Sequence, residues 1–219
     1  NQEIPFLGIS PFLLVGPFVG IWAAFFGHKH LNNFKNVRFE VPNLINFISE
    51  VKKKGLSKFL VSYFFYNNAV ICIFAFASMF ASFLFGLSES QILFLGIFIN
   101  LSGVIGCFLL GRIEDSFGSQ KILLLCILFL TLLTFSLFFI ESVILFWIIA
   151  ISIGFFVGPI QASSRSLLAK KIDIKNQLSA FSLFSMFGNI CAVLGPFLIG
   201  LIIDISESIK IGLLVIPVF

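Results

Sequence analysis

Six apolar runs recur along this chain, each near the length needed to cross a hydrocarbon core, with short polar connections between most of them. A core about 30 Å thick takes roughly 20 helical residues. The runs lie at about 5–27, 58–85, 91–111, 121–140, 143–161 and 180–203. A seventh opens near 209 and is expected to be a span cut short, since the sequence stops at Phe219 within an apolar run. The start at Asn1 rather than Met points the same way, so the chain reads as a piece of a longer one.

Composition removes the soluble alternative. Only 11% of the residues are charged and 59% are hydrophobic, against roughly 25% charged in soluble domains. No soluble core of this size buries 32 Phe side chains; a bilayer removes the need to bury them. The formal charge of +4 does not point to nucleic acid, because the basic residues sit in a few connections and form no aromatic-interleaved surface. The four cysteines, Cys72, Cys107, Cys126 and Cys191, are each set in an apolar run without CxxC or Cys/His spacing. They read as small buried hydrophobes, with no disulfide framework and no metal site.

Charge then orients the spans. Every Lys and Arg except Lys210 falls in or beside three connections. The first carries Lys29, Lys35, Arg38, Lys52, Lys53, Lys54 and Lys58; the second Arg112 and Lys121; the third Arg165, Lys170, Lys171 and Lys175. The intervening connections carry Glu89, Glu141, Asp204 and Glu207. This unbroken alternation is what the positive-inside rule requires of consecutive spans, so the first helix runs inward and the 28–57 loop is cytoplasmic. Within that loop Leu44, Phe47, Ile48 and Val51 share one helical face, with Pro42 at the start and Gly55 after three lysines. The pattern predicts an amphipathic helix at the membrane surface, with a partner-binding helix as the other reading.

The most specific run is Gly111-Arg112-Ile113-Glu114-Asp115-Ser116-Phe117-Gly118-Ser119-Gln120-Lys121, on the cytoplasmic side. Gly111 lets a helix end close against a neighbour, and Gly118 permits a tight reversal. Asp115 can sit at the positive N-terminal end of an adjacent helix, and Lys121 supplies an inside charge. A plain two-helix turn with orienting charges would use the same residue types. The run resembles the signature loop G-x-L-x-D-x-x-G-x-R/K-R/K of the major facilitator superfamily. Gly111, Asp115, Gly118 and Lys121 match; Ile113 replaces Leu, and Gln120 replaces a basic residue. The resemblance implies a latch for the cytoplasmic gate, and it also implies a place in the parent fold. Residues 1–27 become the sixth transmembrane helix and 28–57 the cytoplasmic loop between halves. Residues 58–219 become the C-terminal six-helix repeat, truncated in its last helix. The expected fold is therefore all-α, a polytopic transmembrane helix bundle of the second-half type.

Three further runs resemble the vacuolar amino-acid effluxer-like branch of that superfamily: Tyr63 to Ala69, Gln161 to Ala169, and Phe187 to Pro196. Where the branch has Tyr-Asn-Asp-Gly, this chain has Asn68 in the acidic position. Where the branch has a basic residue after Phe-Gly, it has Asn189. Both lie about ten residues, roughly 15 Å, from the cytoplasmic end of their spans, at the depth where such transporters bind solute. If the branch pairs those charges, this chain has neutralised both partners, since losing one alone would strand a charge. Proton coupling would then belong to the other half or be absent.

Tyr66, Asn67, Asn68, Asn100, Gln161, Arg165 and Asn189 are the candidate residues of the solute pathway. For the asparagines, interhelical hydrogen bonding is the competing reading. Arg165 lies either near the cytoplasmic mouth or among the orienting charges, and His28 and His30 read as interfacial residues. Gly16/Gly20 and Gly154/Gly158 make small-xxx-small faces for close helix contact, and the Gly195-Pro196 pair is the best hinge candidate. No catalytic set and no nucleotide-binding motif is present, so neither an enzyme nor an ATP-driven pump is expected, and no cofactor.

The expected function is secondary transport of a small solute, by resemblance amino acids, with alternating access. The alternative is a non-transporting sensor or assembly protein on the same scaffold. The expected partners are the lipid bilayer, a small-molecule solute and the missing N-terminal half, with no nucleic acid. The expected location is a bacterial cytoplasmic (inner) membrane.

Overall fold

A chain in lipid must satisfy its backbone hydrogen bonds within its own segments, which favours uninterrupted helices. The computed structural model describes residues 11–31 and 55–219, all of it helix, turn or short connection with no strand among them. These residues divide into two units, 1–41 and 42–219. In the first, α1 spans Pro11–Leu31 and contains Pro17. The expected amphipathic helix at 42–54 lies outside the described residues.

The second unit holds five helices long and apolar enough to cross a membrane. They are α2 (Leu56–Phe85), α3 (Glu89–Phe117), α4 (Ser119–Ser136), α5 (Val143–Lys171) and α6 (Gln177–Ser206), followed by the short α7 (Ile209–Leu213). All five expected spans of this unit are present, so the chain is an all-α transmembrane bundle. The run near 209 forms α7 and a 3-10 turn at Ile216–Val218. There Leu213 and Ile216 pack into a buried cluster with Ala69, Cys72, Phe80 and Ile199.

The connections are shorter than the hydropathy runs imply, because the helices continue past the apolar stretch. Helix α3 runs through Glu114 and Asp115 to Phe117, and α5 runs through Arg165 to Lys171. Arg165 thus stands on a helix, where the sequence reading put it in a loop. Nothing after Pro159 interrupts α5, Ser163, Ser164 and Leu168 keep its inner face buried, and Lys170 and Lys171 complement its C-terminal dipole. The α3–α4 reversal is reduced to Gly118, whose φ of +88° favours glycine. On the opposite end, Gly86 ends α2 with φ +63°, and Ser88 with Gln91 forms a capping box that starts α3.

The helices are held by two kinds of contact. Aromatic and aliphatic side chains fill the main core, where Phe59, Ile122, Leu123, Ile160, Leu168 and Phe184 meet. Glycines bring α3 and α5 together backbone to backbone. A Cβ on Gly106 would fall on the Phe155 carbonyl oxygen, and one on Gly154 would meet the Ile99 carbonyl at 2.5 Å. A Cβ on Gly158 would lie 2.7 Å from Cys107 Sγ. The Gly154/Gly158 face therefore makes the close contact expected of small-xxx-small pairs. Ser102 Oγ adds a hydrogen bond across the same seam to the Ile151 carbonyl, at 2.9 Å.

The outer faces are as apolar as the core. Phe94, Phe98, Val104, Ile105 and Phe108 of α3 are all exposed, a surface that only lipid or another apolar partner can cover. Replacing Gly106 by Ala should force α3 from α5 and destabilise the fold by about 1–3 kcal/mol, the usual cost of overpacking. Gly96→Ala, where nothing lies within 4 Å, should leave stability unchanged or improved. Thermal unfolding of the two variants in detergent checks the contrast.

Candidate functional site

Polar side chains of α2 and α5 meet in one recess, with α6 closing it. On α2, Tyr63, Tyr66 and Asn67 follow one another around one face. On α5, Gln161, Ser164 and Arg165 recur at i, i+3 and i+4, the spacing of a single helical face. These six, with Ile71, Ile160, Phe184 and Gly188, line a recess of about 220 Å³. Tyr66 Oη and Ser164 Oγ share a hydrogen bond of 2.7 Å that joins α2 to α5 across its wall. Tyr63 stacks on Phe184 with ring centroids 3.8 Å apart, forming the aromatic side. Gly188 keeps α6 close, since a Cβ there would lie 3.1 Å from the Tyr63 hydroxyl. Arg165 supplies the only formal charge among the lining residues, and it is exposed.

A second recess of about 360 Å³ opens between α3 and α5, with Phe74 of α2 on its rim. Asn100, Cys107 and Gln161 are its polar lining. Gln161 therefore borders both recesses. A third, nearly apolar cavity of about 70 Å³ lies among Phe80, Phe146, Leu213 and their neighbours and holds none of the candidates.

The candidates thus separate. Tyr66, Asn67, Gln161 and Arg165 line the first recess, and Asn100 and Gln161 line the second. The Asn100 amide donates to the Gly96 carbonyl of its own helix at 2.8 Å, so it is not interhelical glue. Asn68 lines neither recess. It is 1% exposed, donating through Nδ2 to the Phe64 carbonyl at 2.7 Å and to Cys191 Sγ at 3.3 Å. It thus joins α2 to α6, the interhelical role set against cavity lining in the sequence reading. Asn189 is exposed, and no hydrogen bond links it to Asn68 among the described residues. The two are not a direct pair here, because the α6 face that meets Asn68 carries Cys191 and Gly195.

Gly195 is itself buried against α2. A Cβ there would lie 2.6 Å from Cys72 Sγ and 2.8 Å from Asn68 Oδ1, an oxygen with no hydrogen-bond partner. Helix α6 continues through Pro196 without a break. In the signature run, Gly111, Asp115, Gly118 and Lys121 are all exposed.

Three residues escaped the sequence reading. Tyr63 and Ser164 stand within quoted runs but were not singled out, although a hydroxyl or phenol amid apolar neighbours is a signal for a partner. Glu114 occupies a free position of the signature pattern, yet it is the buried acid of that run, at 8% exposure, while Asp115 faces out. Only the helical phase of α3 distinguishes the two, and that phase was hidden while the run was read as a loop.

Residues 18–219 match the family described as vacuole effluxer Atg22 like. The chain is 26% identical over 172 residues to the uncharacterized MFS-type transporter YxiO of Bacillus subtilis, covering 78% of this chain and 39% of that protein. It is 28% identical over 168 residues to autophagy-related protein 22 of Pichia angusta, covering 72% of this chain and 30% of that protein. A multi-drug resistance efflux pump PmrA homolog of Lactococcus lactis is 25% identical over 192 residues, or 84% of this chain and 47% of that one. The chain thus spans less than half the length of these relatives. No solved structure matches it.

Burial sets the cost of a charge at each asparagine. Asn68→Asp would put a carboxylate at a 1% exposed site with no cation hydrogen-bonded to it, at a cost of about 3–5 kcal/mol. Asn189→Asp, on a face not packed within this bundle where the carboxylate can reach water or a polar partner, should cost less. Yield of folded protein and its melting temperature should fall further for the first variant than for the second.

Proposed function

Because the chain belongs to the vacuole effluxer Atg22-like family, we propose that it is the second half of a secondary transporter that moves a small solute, amino acids foremost, by alternating access. The observation that carries the reading is the shared wall of the two recesses. Gln161 borders both, and Tyr66, Asn67, Ser164 and Arg165 complete a polar lining on an otherwise apolar membrane bundle. Solute sites in such transporters lie near the midplane between repeats, and a recess of about 220 Å³ is open enough to complete a cavity with a facing half. Hydroxyl, amide and guanidinium groups there can hold a solute that carries both hydrogen-bonding and charged atoms, while Tyr63 and Phe184 offer an apolar wall.

The exposed signature residues Gly111, Asp115, Gly118 and Lys121 are proposed to close against the other half as a cytoplasmic latch. Gly195 and Pro196 are proposed as the point where α6 flexes, since a proline removes one rung of the helix ladder. No carboxylate lines either recess, so proton coupling is proposed to lie in the other half or to be absent. The bilayer is its solvent and the first half its principal partner. A bacterial cytoplasmic membrane is the proposed location, with the Bacillus and Lactococcus relatives as support.

The full-length protein reconstituted in vesicles should show saturable counterflow of at least one amino acid. Arg165→Ala or Gln161→Ala should lower it about tenfold or more at matched protein levels, the effect of losing a hydrogen bond worth about 1.5–3 kcal/mol. Absence of amino-acid flux from intact protein would rule out this solute class. Flux indifferent to both substitutions would remove the recess from the pathway.

A further inference from the structure

The signature run contains an acid that the latch does not use. Glu114 stands at the cytoplasmic end of α3, one residue before Asp115, and is buried while Asp115 is exposed. Its carboxylate accepts from Ser119 Oγ of α4 at 2.6 Å and from Ser163 Oγ of α5. Ser119 is tied in turn to Ser166 Oγ at 3.1 Å and accepts from Lys170 Nζ at 2.8 Å. Lys170 Nζ lies 3.8 Å from the same carboxylate, so the charge has a cation beside it. One side chain near the end of α3 is therefore bound to the first residue of α4 and to α5.

The contact on α5 falls at a particular place. Ser163 and Ser164 are adjacent on α5, both are buried, and they meet different neighbours. Ser163 meets Glu114, and Ser164 meets Tyr66 in the wall of the polar recess. Ser164 is also held to the Ile160 carbonyl, one turn back on its own helix. Between them the two serines form a short route of hydrogen bonds from the signature turn, through one peptide unit of α5, to the recess.

We propose that Glu114 is a positioning residue that makes the signature turn and the α5 wall of the recess move as one body. It holds no solute and donates no proton. Its work is to transmit displacement of the turn to the face that carries Gln161, Ser164 and Arg165. A carboxylate suits this better than an amide, because it accepts from two hydroxyls at once and keeps Lys170 in attendance. The geometry stands on this chain alone; its purpose rests on the transport reading above.

Cys107 offers a reporter. It lies two turns before Glu114 on the same face of α3, against Gly158 of α5, and it alone among the four cysteines is exposed. Loosening the Glu114 tie should open the α3–α5 seam beside it. The test uses the full-length protein in membrane vesicles, with alkylation by a small maleimide followed at the Cys107 peptide by mass spectrometry. Glu114→Gln should speed Cys107 labelling about threefold or more, and Tyr66→Phe should speed it by less. The double variant should label no faster than Glu114→Gln alone, since both substitutions cut one route.

Labelling unchanged by Glu114→Gln would overturn the proposal, as would effects of the two substitutions that simply multiply. Should Glu114→Gln fold poorly, Ser163→Ala removes a single donor from the same route. Its labelling must rise likewise, and wild-type labelling of that variant would overturn the proposal too. The readout needs no solute, so a carrier without measurable flux but with coupled labelling would refute the transport reading and leave this one standing.

Discussion

The contact of α3 with α5 is the constraint on which the rest of this bundle depends. Lipid offers no hydrophobic force between helices, so association must come from close packing and hydrogen bonds. Gly106, Gly154 and Gly158 bring the two backbones within reach of each other's carbonyls, and Ser102 donates across the seam. With the middle of the pair fixed in this way, the recess lined by Asn100 and Gln161 opens along one side. At the end of α3 that carries the signature run, Glu114 meets Ser163, which takes up the only acid buried in the described residues. A side chain at Gly106 would disturb all of these together, because they share one interhelical distance.

Most of the fold is legible in the sequence because the bilayer imposes a single length scale on every span. The apolar runs and the alternation of Lys and Arg with acidic connections required no knowledge of tertiary contacts. The helix ends were less legible. Hydropathy marks where a helix leaves the hydrocarbon, whereas a helix ends where its hydrogen bonds do. Helices α3 and α5 therefore run on through Asp115 and Arg165, residues that polarity assigns to loops.

The site was legible by residue type and less so by direction. Tyr66, Asn67, Gln161 and Arg165 were recognisable as polar groups within or beside apolar runs, and they do converge. Asn68 was equally conspicuous, yet it faces α6 and bonds to Cys191 rather than lining a cavity. A rotation of 100° per residue separates these fates, and a chain hydrophobic on every face gives no polar side against which to set the phase. Glu114 and Asp115 present the same difficulty in its sharpest form, as two adjacent acids of which one is inside.

The distribution of charge within this bundle then follows from dielectric cost. At Asn68, where the site is closed and its Oδ1 already lacks a donor, the chain keeps a neutral amide. At Glu114 it tolerates a carboxylate, because two hydroxyls and the Lys170 ammonium can be brought to it at the membrane edge. Arg165 bears its charge on an exposed face, where a solute or water can solvate it. Charge is thus kept where a compensating group can reach and excluded where none can. The walls of the two recesses hold no carboxylate to load and release a proton. On the transport reading proposed above, a proton-driven cycle would therefore need its carboxylate outside these two recesses, beyond the walls that Gln161 and Arg165 line.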